Sequence, residues 1–250
     1  KLYEIMSEMM FIGAENKLTL FESLIAAKRQ FGGGHLIAGD INKVELTYNK
    51  LITASIVLGY QIKKETKFAE NVGVLLPNTA GTLVTIFAIT AYGRIPAMLN
   101  YSTGYANIVA CCKAGNVKIV YTSRVFIEKG ELQEMVSVLS KEGVKIVYLE
   151  DVRKRITIVS KMRGMWHALR PLHWYQNYML QNKKIHNTNS ASVAIILFTS
   201  GSEGVPKGVA LSHNNIIANL QQVASRIDFN SRDRVFNALP MFHSFGLTGG

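Results

Sequence analysis

The chain has 250 residues, of which 48% are hydrophobic and 18% are charged. A chain of this length and composition buries most of the surface that its unfolded form exposes, which excludes disorder as its main state. Its 20 Gly and 5 Pro residues are ordinary for a globular protein, so collagen-like and low-complexity classes are excluded too. The length allows one large domain or two small ones.

The formal net charge is +11, and most of it comes from one part of the chain. Residues 151–190 contain eight Lys or Arg residues and a single Asp. A nucleic-acid-binding protein would spread its positive charge over a face and carry a recognisable motif. Neither feature is present, so we predict no nucleic-acid partner.

Two further patterns bear on the compartment. Cys111 and Cys112 are adjacent, which is a poor geometry for a disulfide, and two cysteines are too few for a zinc cluster. We therefore predict a buried pair of free thiols on a helix in a reducing compartment. Residues 1–11 contain two glutamates, so we predict that they are not an export signal. The uncharged stretch 71–93 is divided by Pro77, so it is predicted to be a strand and a helix rather than a membrane span.

In chain order, the first clear element is a helix that Thr19 and Glu22 begin with the spacing of a capping box and that the glycines at 32–34 end. Thr47 is predicted to cap a second helix that continues to about Lys64. Apolar, β-branched runs then alternate with amphipathic segments. Strands are predicted at Val72–Leu76, Ile95–Leu99, Val117–Thr122, Val144–Leu149 and Val193–Phe198, with helices near 79–92, 104–115 and 131–142.

These strand candidates lack the polar alternation of a half-exposed strand, which indicates that both faces of the sheet are covered. Parallel strands joined by right-handed helical crossovers place helices on both sides of the sheet. The predicted fold is therefore α/β, with a mostly parallel β-sheet and helices on both faces.

The last predicted strand leads directly into a loop rich in glycine and hydroxyl side chains. Glycines let backbone N–H groups approach an anion, the hydroxyls add donors, and Lys207 supplies a mobile positive charge. The spacing is not that of a Walker A loop, because Pro206 precedes the lysine and Gly208 follows it. We predict that this loop binds a triphosphate. Its predicted ligand residues are Thr199, Ser200, Gly201, Ser202, Glu203, Gly204 and Lys207.

This ordered combination closely resembles the signature of the adenylate-forming superfamily, the AMP-binding, acyl-CoA synthetase-like enzymes. Residues 211–215 resemble the helix start that follows the loop in that family, and residues 239–246 resemble its L-P-x-F-H-x-x-G motif. The resemblance implies that residues 17–250 are the N-terminal part of the AMP-binding domain, with ATP and Mg²⁺ as cofactors. It also implies catalytic roles for Lys207 and His243, the latter beside the adenylate and the acyl pocket. Ser212 is predicted to be a helix N-cap and His213 a structural histidine.

One position departs from the common family pattern. The family usually has threonine where this chain has Glu203, and a carboxylate beside a triphosphate is repulsive unless a metal or lysine intervenes. The same variant resembles a narrower branch, the bifunctional 2-acylglycerophosphoethanolamine acyltransferase/acyl-ACP synthetases, and so do residues 19–22, 94–101 and 148–151. This resemblance implies that residues 1–16 are a linker or the tail of an upstream acyltransferase domain. It also implies that the later family segments follow Gly250, so that these 250 residues alone are inactive.

The reaction implied by the resemblance begins when a fatty-acid carboxylate attacks the α-phosphate of ATP, giving an acyl-adenylate and pyrophosphate. The acyl group then passes to acyl carrier protein and, through the upstream acyltransferase domain, to a lysophospholipid. The resemblance places such an enzyme at the cytoplasmic face of a bacterial inner membrane, with these 250 residues soluble. Two alternatives stay open: another ligase of the family that uses coenzyme A, and a non-catalytic membrane- or carrier-docking module whose loop has decayed.

The basic segment 151–186 needs its own explanation. Its cationic residues are interleaved with apolar ones near helical spacing, which is typical of a helix on an anionic membrane surface, and an acidic carrier protein would suit it as well. An ordinary surface helix that packs Trp166 and the methionines against the domain explains the same pattern. Its histidines lack ligand spacing, so we predict no protein metal site. The residues concerned are Arg153, Lys154, Arg155, Ile156, Val159, Lys161, Met162, Arg163, Met165, Trp166, His167, Leu169, Arg170, His173 and His186.

Overall fold

The computed structural model of the protein describes residues 17–182, 189–199, 205–227 and 229–249. Within them, helices and strands alternate as predicted. The strands are β1 (Leu36–Gly39), β2 (Glu45–Thr47), β3 (Asn71–Val74), β4 (Ile95–Met98), β5 (Ile119–Thr122), β6 (Lys145–Tyr148), β7 (Val193–Thr199) and β8 (Lys207–Ser212). The helices are α1 (Leu20–Phe31), α2 (Tyr48–Glu65), α3 (Ala80–Ala91), α4 (Tyr105–Ala114), α5 (Arg124–Lys129), α6 (Gln133–Lys141), α7 (Leu149–Arg155), α8 (Ile158–Leu169), α9 (Pro171–Asn182), α10 (His213–Ala224) and α11 (Ser244–Thr248).

Six strands form one sheet in the order β6-β5-β3-β4-β7-β8, and β1 pairs with β2 in a separate small hairpin. All neighbours in the large sheet are parallel except β8, which pairs antiparallel with β7. Val72 and Val74 pack with α3 and α10, whereas Leu75 and Ala97 pack with α4 and α6. The predicted α/β fold with helices on both faces is confirmed.

The sequence patterns predicted the ends of several helices and strands correctly. The Thr19 side chain accepts from the Glu22 backbone N–H and the Glu22 carboxylate accepts from that of Thr19, so the predicted capping box begins α1. Gly32 ends the helix at φ +87°, a conformation that glycine adopts without strain. The Thr47 side chain caps α2. Each of the five predicted strands agrees with the structure to within two residues at either end.

The uncharged stretch 71–93 is divided between β3 and α3, as predicted. Among the described residues, no helix has the length and apolar character needed to cross a membrane. Cys111 and Cys112 are free and buried on α4, and burial raises the pKa of the first thiol to about 11 and that of the second to about 12. The predicted buried pair of free cysteines on a helix is confirmed.

The structure corrects two predictions about the basic segment, of which it describes residues 151–182. The segment forms three successive helices, α7 to α9, rather than one, because Ile156 ends α7 and the Thr157 side chain caps α8 by accepting from the Ser160 backbone N–H at 3.2 Å. Trp166 is 73% exposed and Met162 is 61% exposed, so the interpretation in which these side chains pack against the domain is wrong. Residues 183–186, including His186, lie outside the described residues.

Candidate functional site

The parallel strands of the sheet end at one common edge, where ligands bind in open α/β sheets. Asn78 follows β3, Tyr101 follows β4, and β7 ends at Thr199. These strands are adjacent in the sheet, so the three residues belong to the same edge. The predicted phosphate loop begins at this edge.

The phosphate loop connects two antiparallel strands. Thr199, the last residue of β7, is the register partner of Lys207, the first residue of β8. β7 is held in place by its buried residues 194–197, whereas β8 begins with four exposed residues. Two predicted ligand residues, Thr199 and Lys207, are therefore exposed side by side where the loop leaves the sheet. The strand register places them directly opposite each other. The other predicted ligand residues lie outside the described residues: Ser200, Gly201, Ser202, Glu203 and Gly204.

Asn78 holds residues 239–246, which contain the L-P-x-F-H-x-x-G motif, at the same edge. The Asn78 amide donates to the Leu239 carbonyl at 2.6 Å and accepts from the Met241 backbone N–H at 2.9 Å. Phe242 is buried, and its ring meets that of Tyr101 edge to face at a centroid distance of 5.0 Å. One polar anchor and one aromatic anchor therefore fix the chain immediately before His243.

Gly246, the last residue of this motif, is needed for close approach of two backbone segments. A Cβ atom added there would lie 2.3 Å from the Pro240 carbonyl oxygen and 2.6 Å from that of Leu239. The Asn237 amide donates to the Gly246 carbonyl at 2.8 Å and holds the same bend. The motif therefore forms a tight bend, and a side chain at position 246 would clash with the backbone of that bend.

His243 lies at the N-cap of α11 with an exposed side chain, and its ring is 4.8 Å from that of Phe242. Since Asn78 and Tyr101 hold this segment at the ends of β3 and β4, His243 belongs to the same edge as Lys207. The structure thus brings the two predicted catalytic residues to one edge of the sheet, each with its side chain open to a ligand.

The residues that follow β8 have the predicted structural roles. Ser212 and Asn215 form a capping box at the start of α10. His213 is buried, and its Nδ1 accepts a hydrogen bond from the Leu20 backbone N–H at 3.1 Å. Burial lowers the pKa of His213 to about 4, so the ring is neutral near pH 7 and joins α10 to α1.

Asn78 is the residue that our sequence reasoning missed at this site. In the sequence, the neighbouring Pro77 indicated only a break in an apolar stretch. A polar side chain shortly after a buried parallel strand is a signal for the ligand-binding edge, and this signal could have identified Asn78, four residues after the end of β3.

Comparisons with known proteins agree with this geometry. A model of the AMP-binding enzyme family matches residues 33–250, which include the phosphate loop and the L-P-x-F-H-x-x-G motif. The chain belongs to the AMP-binding enzyme family.

Two curated relatives illustrate the match. A 4-coumarate:CoA ligase of Petunia hybrida is 26% identical over 208 residues, covering 82% of this chain and 34% of the relative. A long-chain-fatty-acid–CoA ligase of Bacillus subtilis is 23% identical over 219 residues, covering 82% of this chain and 39% of the relative. This AMP-binding enzyme chain therefore spans little more than a third of the length of the relatives that it matches.

The fold of the AMP-binding enzyme chain also matches solved structures. The o-succinylbenzoate coenzyme A synthetase of Bacillus subtilis in complex with AMP superposes with a TM-score of 0.69 at 17% identity, covering 94% of this chain and 52% of that protein. At this identity the match establishes the shared fold, that of the N-terminal part of an adenylate-forming enzyme.

Proposed function

We propose that the protein activates long-chain fatty acids with ATP as acyl-adenylates and transfers the acyl group to acyl carrier protein. The product would serve to reacylate a lysophospholipid, 2-acylglycerophosphoethanolamine. The proposal is carried by one observation, the register pairing of Thr199 with Lys207 at the carboxyl edge that also holds the His243 motif. The family match over residues 33–250 supports it.

The residues present at the edge fit a polyphosphate. The Thr199 hydroxyl is a hydrogen-bond donor and the Lys207 ammonium is a mobile cation, and both are exposed where the loop leaves the sheet. Mg²⁺ in such sites is bound through substrate phosphate oxygens, water and one or two carboxylates, so it would add positive charge without an all-protein cage. The described edge therefore offers one hydroxyl donor and one cation to a polyphosphate.

In the first step, a carboxylate oxygen of the fatty acid forms a bond to the α-phosphorus, and the bond to the bridging oxygen breaks. Pyrophosphate leaves with the electron pair of that bond. Negative charge increases on the leaving oxygens, and the Lys207 ammonium at the mouth of the loop stabilises this charge by direct electrostatic attraction. Lys207 is therefore the residue to which we assign transition-state stabilisation.

His243 is assigned a positioning role for the acid and the adenylate. Its ring is exposed beside Phe242, and the Asn78 and Tyr101 contacts fix the backbone on which it stands. An imidazole held in this way can donate a hydrogen bond to a carboxylate or a phosphate oxygen and orient it for attack.

In the second step, a thiolate attacks the acyl carbonyl, a thioester forms and AMP leaves. The proposal assigns the phosphopantetheine thiol of acyl carrier protein as the acceptor, because the Glu203 variant of the loop and the segments around it resemble the acyl-ACP synthetase branch. Coenzyme A is the alternative acceptor, and the names of the two curated relatives above favour it.

Fatty-acid-dependent exchange of labelled pyrophosphate into ATP by the intact protein tests the first step. Lys207→Ala should reduce exchange about a hundredfold, the usual effect of removing one transition-state donor. The matched control is Lys141→Ala, which removes an exposed lysine at the end of α6, on a different element. Equal exchange by both variants would contradict the role of Lys207, and no exchange by the wild type would favour the non-catalytic docking module.

The acceptor is tested separately with the intact protein, ATP and a long-chain acid, by supplying either acyl carrier protein or coenzyme A. Thioester formation on the carrier protein alone is the predicted result. Thioester formed only on coenzyme A would leave the adenylation proposal standing and would overturn the acceptor assignment.

A further inference from the structure

Helix α8 presents its apolar face to the solvent, which is unusual for a helix on a globular domain. Its domain side consists of small or polar residues at helical spacing, with Gly164 buried at the centre and Ser160 and His167 half-buried around it. A Cβ atom at Gly164 would lie 2.2 Å from Val57 Cγ2, so α8 lies directly against α2. The large side chains project away from the domain. They are Ile158, Val159, Met162, Met165, Trp166 and Leu169, all exposed.

The exposed apolar face is bordered by positive charge. At 100° per residue the six large side chains occupy an arc of about 120°, with Lys161 beyond one side of the arc and Arg163 beyond the other. Both cations are exposed, and neither forms an ion pair with another residue in the described part of the chain. The sequence has no Asp or Glu between residues 151 and 203. An apolar face bordered by cations matches an anionic bilayer, which offers an apolar interior beneath negative headgroups.

A cavity of about 720 Å³ adjoins this face, bounded by α2, α8 and α9. Trp166 and Leu169 belong both to the apolar face and to the cavity wall, so the two surfaces are continuous. The described residues that line the cavity include no carboxylate. Its cationic and aromatic residues are Lys63, Arg163, Arg170, Tyr60, Tyr92, Trp166, His167, His173, Trp174 and Tyr178.

Two of the cations in the cavity, Lys63 and Arg163, lie over aromatic rings. Lys63 Nζ lies 4.8 Å from the centroid of the Tyr178 ring, and Arg163 Cζ lies 5.2 Å from that of Tyr60. The pKa of Lys63 is lowered by burial and by the nearby charges of Arg94 and Arg163. An anion between these cations would relieve their mutual repulsion, and the phosphate of a lipid headgroup is an anion placed beside an apolar chain.

We propose that α8 docks the protein on an anionic phospholipid bilayer, with its apolar face inserted at the headgroup boundary and a lipid phosphate in the adjoining cavity between Lys63 and Arg163. This site is separate from the candidate ATP site. Lys63 lies near the end of α2, which leads into the amino end of β3, and Tyr92 lies between α3 and the amino end of β4. The cavity is therefore at the opposite edge of the sheet from Lys207, and a docked protein keeps its ATP site open.

The test is binding of the intact protein to vesicles of phosphatidylcholine with and without phosphatidylglycerol, measured by flotation at low salt. We expect binding only to the vesicles that contain phosphatidylglycerol. Each of Lys63→Gln and Arg163→Gln should lower the partition constant about fivefold, because one cation near an anionic surface contributes about 1 kcal/mol. Trp166→Gln with Leu169→Gln should lower it tenfold or more. The matched control is Ile41→Gln, which replaces a 91% exposed side chain in the β1–β2 hairpin and should leave binding unchanged.

Fluorescence locates the contact. The chain has two tryptophans, and Trp166→Phe retains an apolar side chain while removing one of them, so the difference between wild type and variant reports on Trp166. We expect its emission to shift to shorter wavelength on vesicles that contain phosphatidylglycerol. Circular dichroism of every variant should match the wild type.

Several results would overturn the proposal: no vesicle binding by the wild type, equal binding to both vesicle types, or unchanged Trp166 emission in a bound protein. Binding of acyl carrier protein through Lys63 and Arg163 without vesicle binding would overturn it in favour of a carrier-docking surface. Binding of inorganic phosphate that Lys63→Gln and Arg163→Gln both weaken, without any vesicle binding by the wild type, would show that the cavity takes free phosphate only and would overturn the proposal. None of these results depends on the ATP reaction.

Discussion

The Asn78 anchor gives the sharpest prediction about the candidate site. Asn78→Ala removes two hydrogen bonds, to the Leu239 carbonyl and from the Met241 N–H. At about 1 kcal/mol net for each bond, the loss of stability should be about 2 kcal/mol. Phe242 stays packed on Tyr101, so we expect the domain to fold while the segment before His243 loses its polar anchor.

The matched control is Asn71→Ala, at the opposite end of the same strand. Asn71 donates a single hydrogen bond, to the Gly115 carbonyl at 2.7 Å, so its loss should cost about 1 kcal/mol. Asn78→Asp is a second variant, which retains the acceptor for the Met241 N–H but cannot donate to the Leu239 carbonyl. Because a carboxylate oxygen beside the Leu239 carbonyl is repulsive, its loss of stability should be at least as large as that of Asn78→Ala.

Urea unfolding of the three variants measures stability, and pyrophosphate exchange by the intact protein measures activity. We expect Asn78→Ala to lose more stability than Asn71→Ala and at least tenfold more exchange activity, because misplacing a substrate-positioning group by about 1 Å costs about a hundredfold. Equal losses of stability, together with full exchange activity in Asn78→Ala, would refute the reasoning that this side chain holds the site.

Three further predictions concern stability and packing. The folded pKa of His213, about 4, lies below the unfolded value, so the neutral ring stabilises the fold above about pH 6.5 and this stabilisation is lost as the pH falls towards 4. Urea unfolding should therefore show wild type losing about 2 kcal/mol more than His213→Gln between pH 7 and pH 5, and parallel pH profiles would contradict this. Gly164→Ala should destabilise the protein by about 1–3 kcal/mol because its Cβ meets Val57, and Val57→Ala in that background should restore part of the loss; additive effects in the double-mutant cycle would contradict direct contact. Gly246→Ala should reduce the rate of pyrophosphate exchange while changing the urea midpoint little, because its Cβ meets the Pro240 carbonyl in the bend of the motif. An unaffected exchange rate would exclude that steric role.

The sequence was sufficient for features that depend on neighbouring residues. The capping box of Thr19 and Glu22 is formed within four residues, so its signal is complete in the sequence. The buried parallel strands appear as continuous apolar runs because both faces are covered. β8 was not predicted as a strand, since it is an edge strand whose first four residues are exposed and its pairing depends on the register with β7.

The orientation of α8 could not be predicted from its own pattern. A stripe of apolar residues at helical spacing normally faces the domain, which is why the ordinary surface-helix interpretation was open. The deciding feature is contact with another element, since α8 lies so close to α2 at Gly164 that a Cβ atom there would meet Val57. That requirement turns the small side of the helix inwards and the large side outwards.

The candidate site was predicted in part. The positions of Thr199, Lys207 and His243 at one edge agree with the motifs, but the role of Asn78 depends on contacts with residues more than 160 positions later in the chain. Contacts of this separation have no local signature, and only the topology of the sheet brings them together.

The measurement that tests the central claim most directly follows the oxygen atoms of the fatty acid. The intact protein is incubated with ATP, an acyl acceptor and a fatty acid whose carboxylate carries ¹⁸O, and the AMP and phosphate products are analysed by mass spectrometry. Because a carboxylate oxygen bonds to the α-phosphorus and stays there when the thiol attacks the carbonyl, we predict one ¹⁸O atom in AMP. Label in inorganic phosphate with ADP as the nucleotide product, or AMP without label, would contradict the acyl-adenylate.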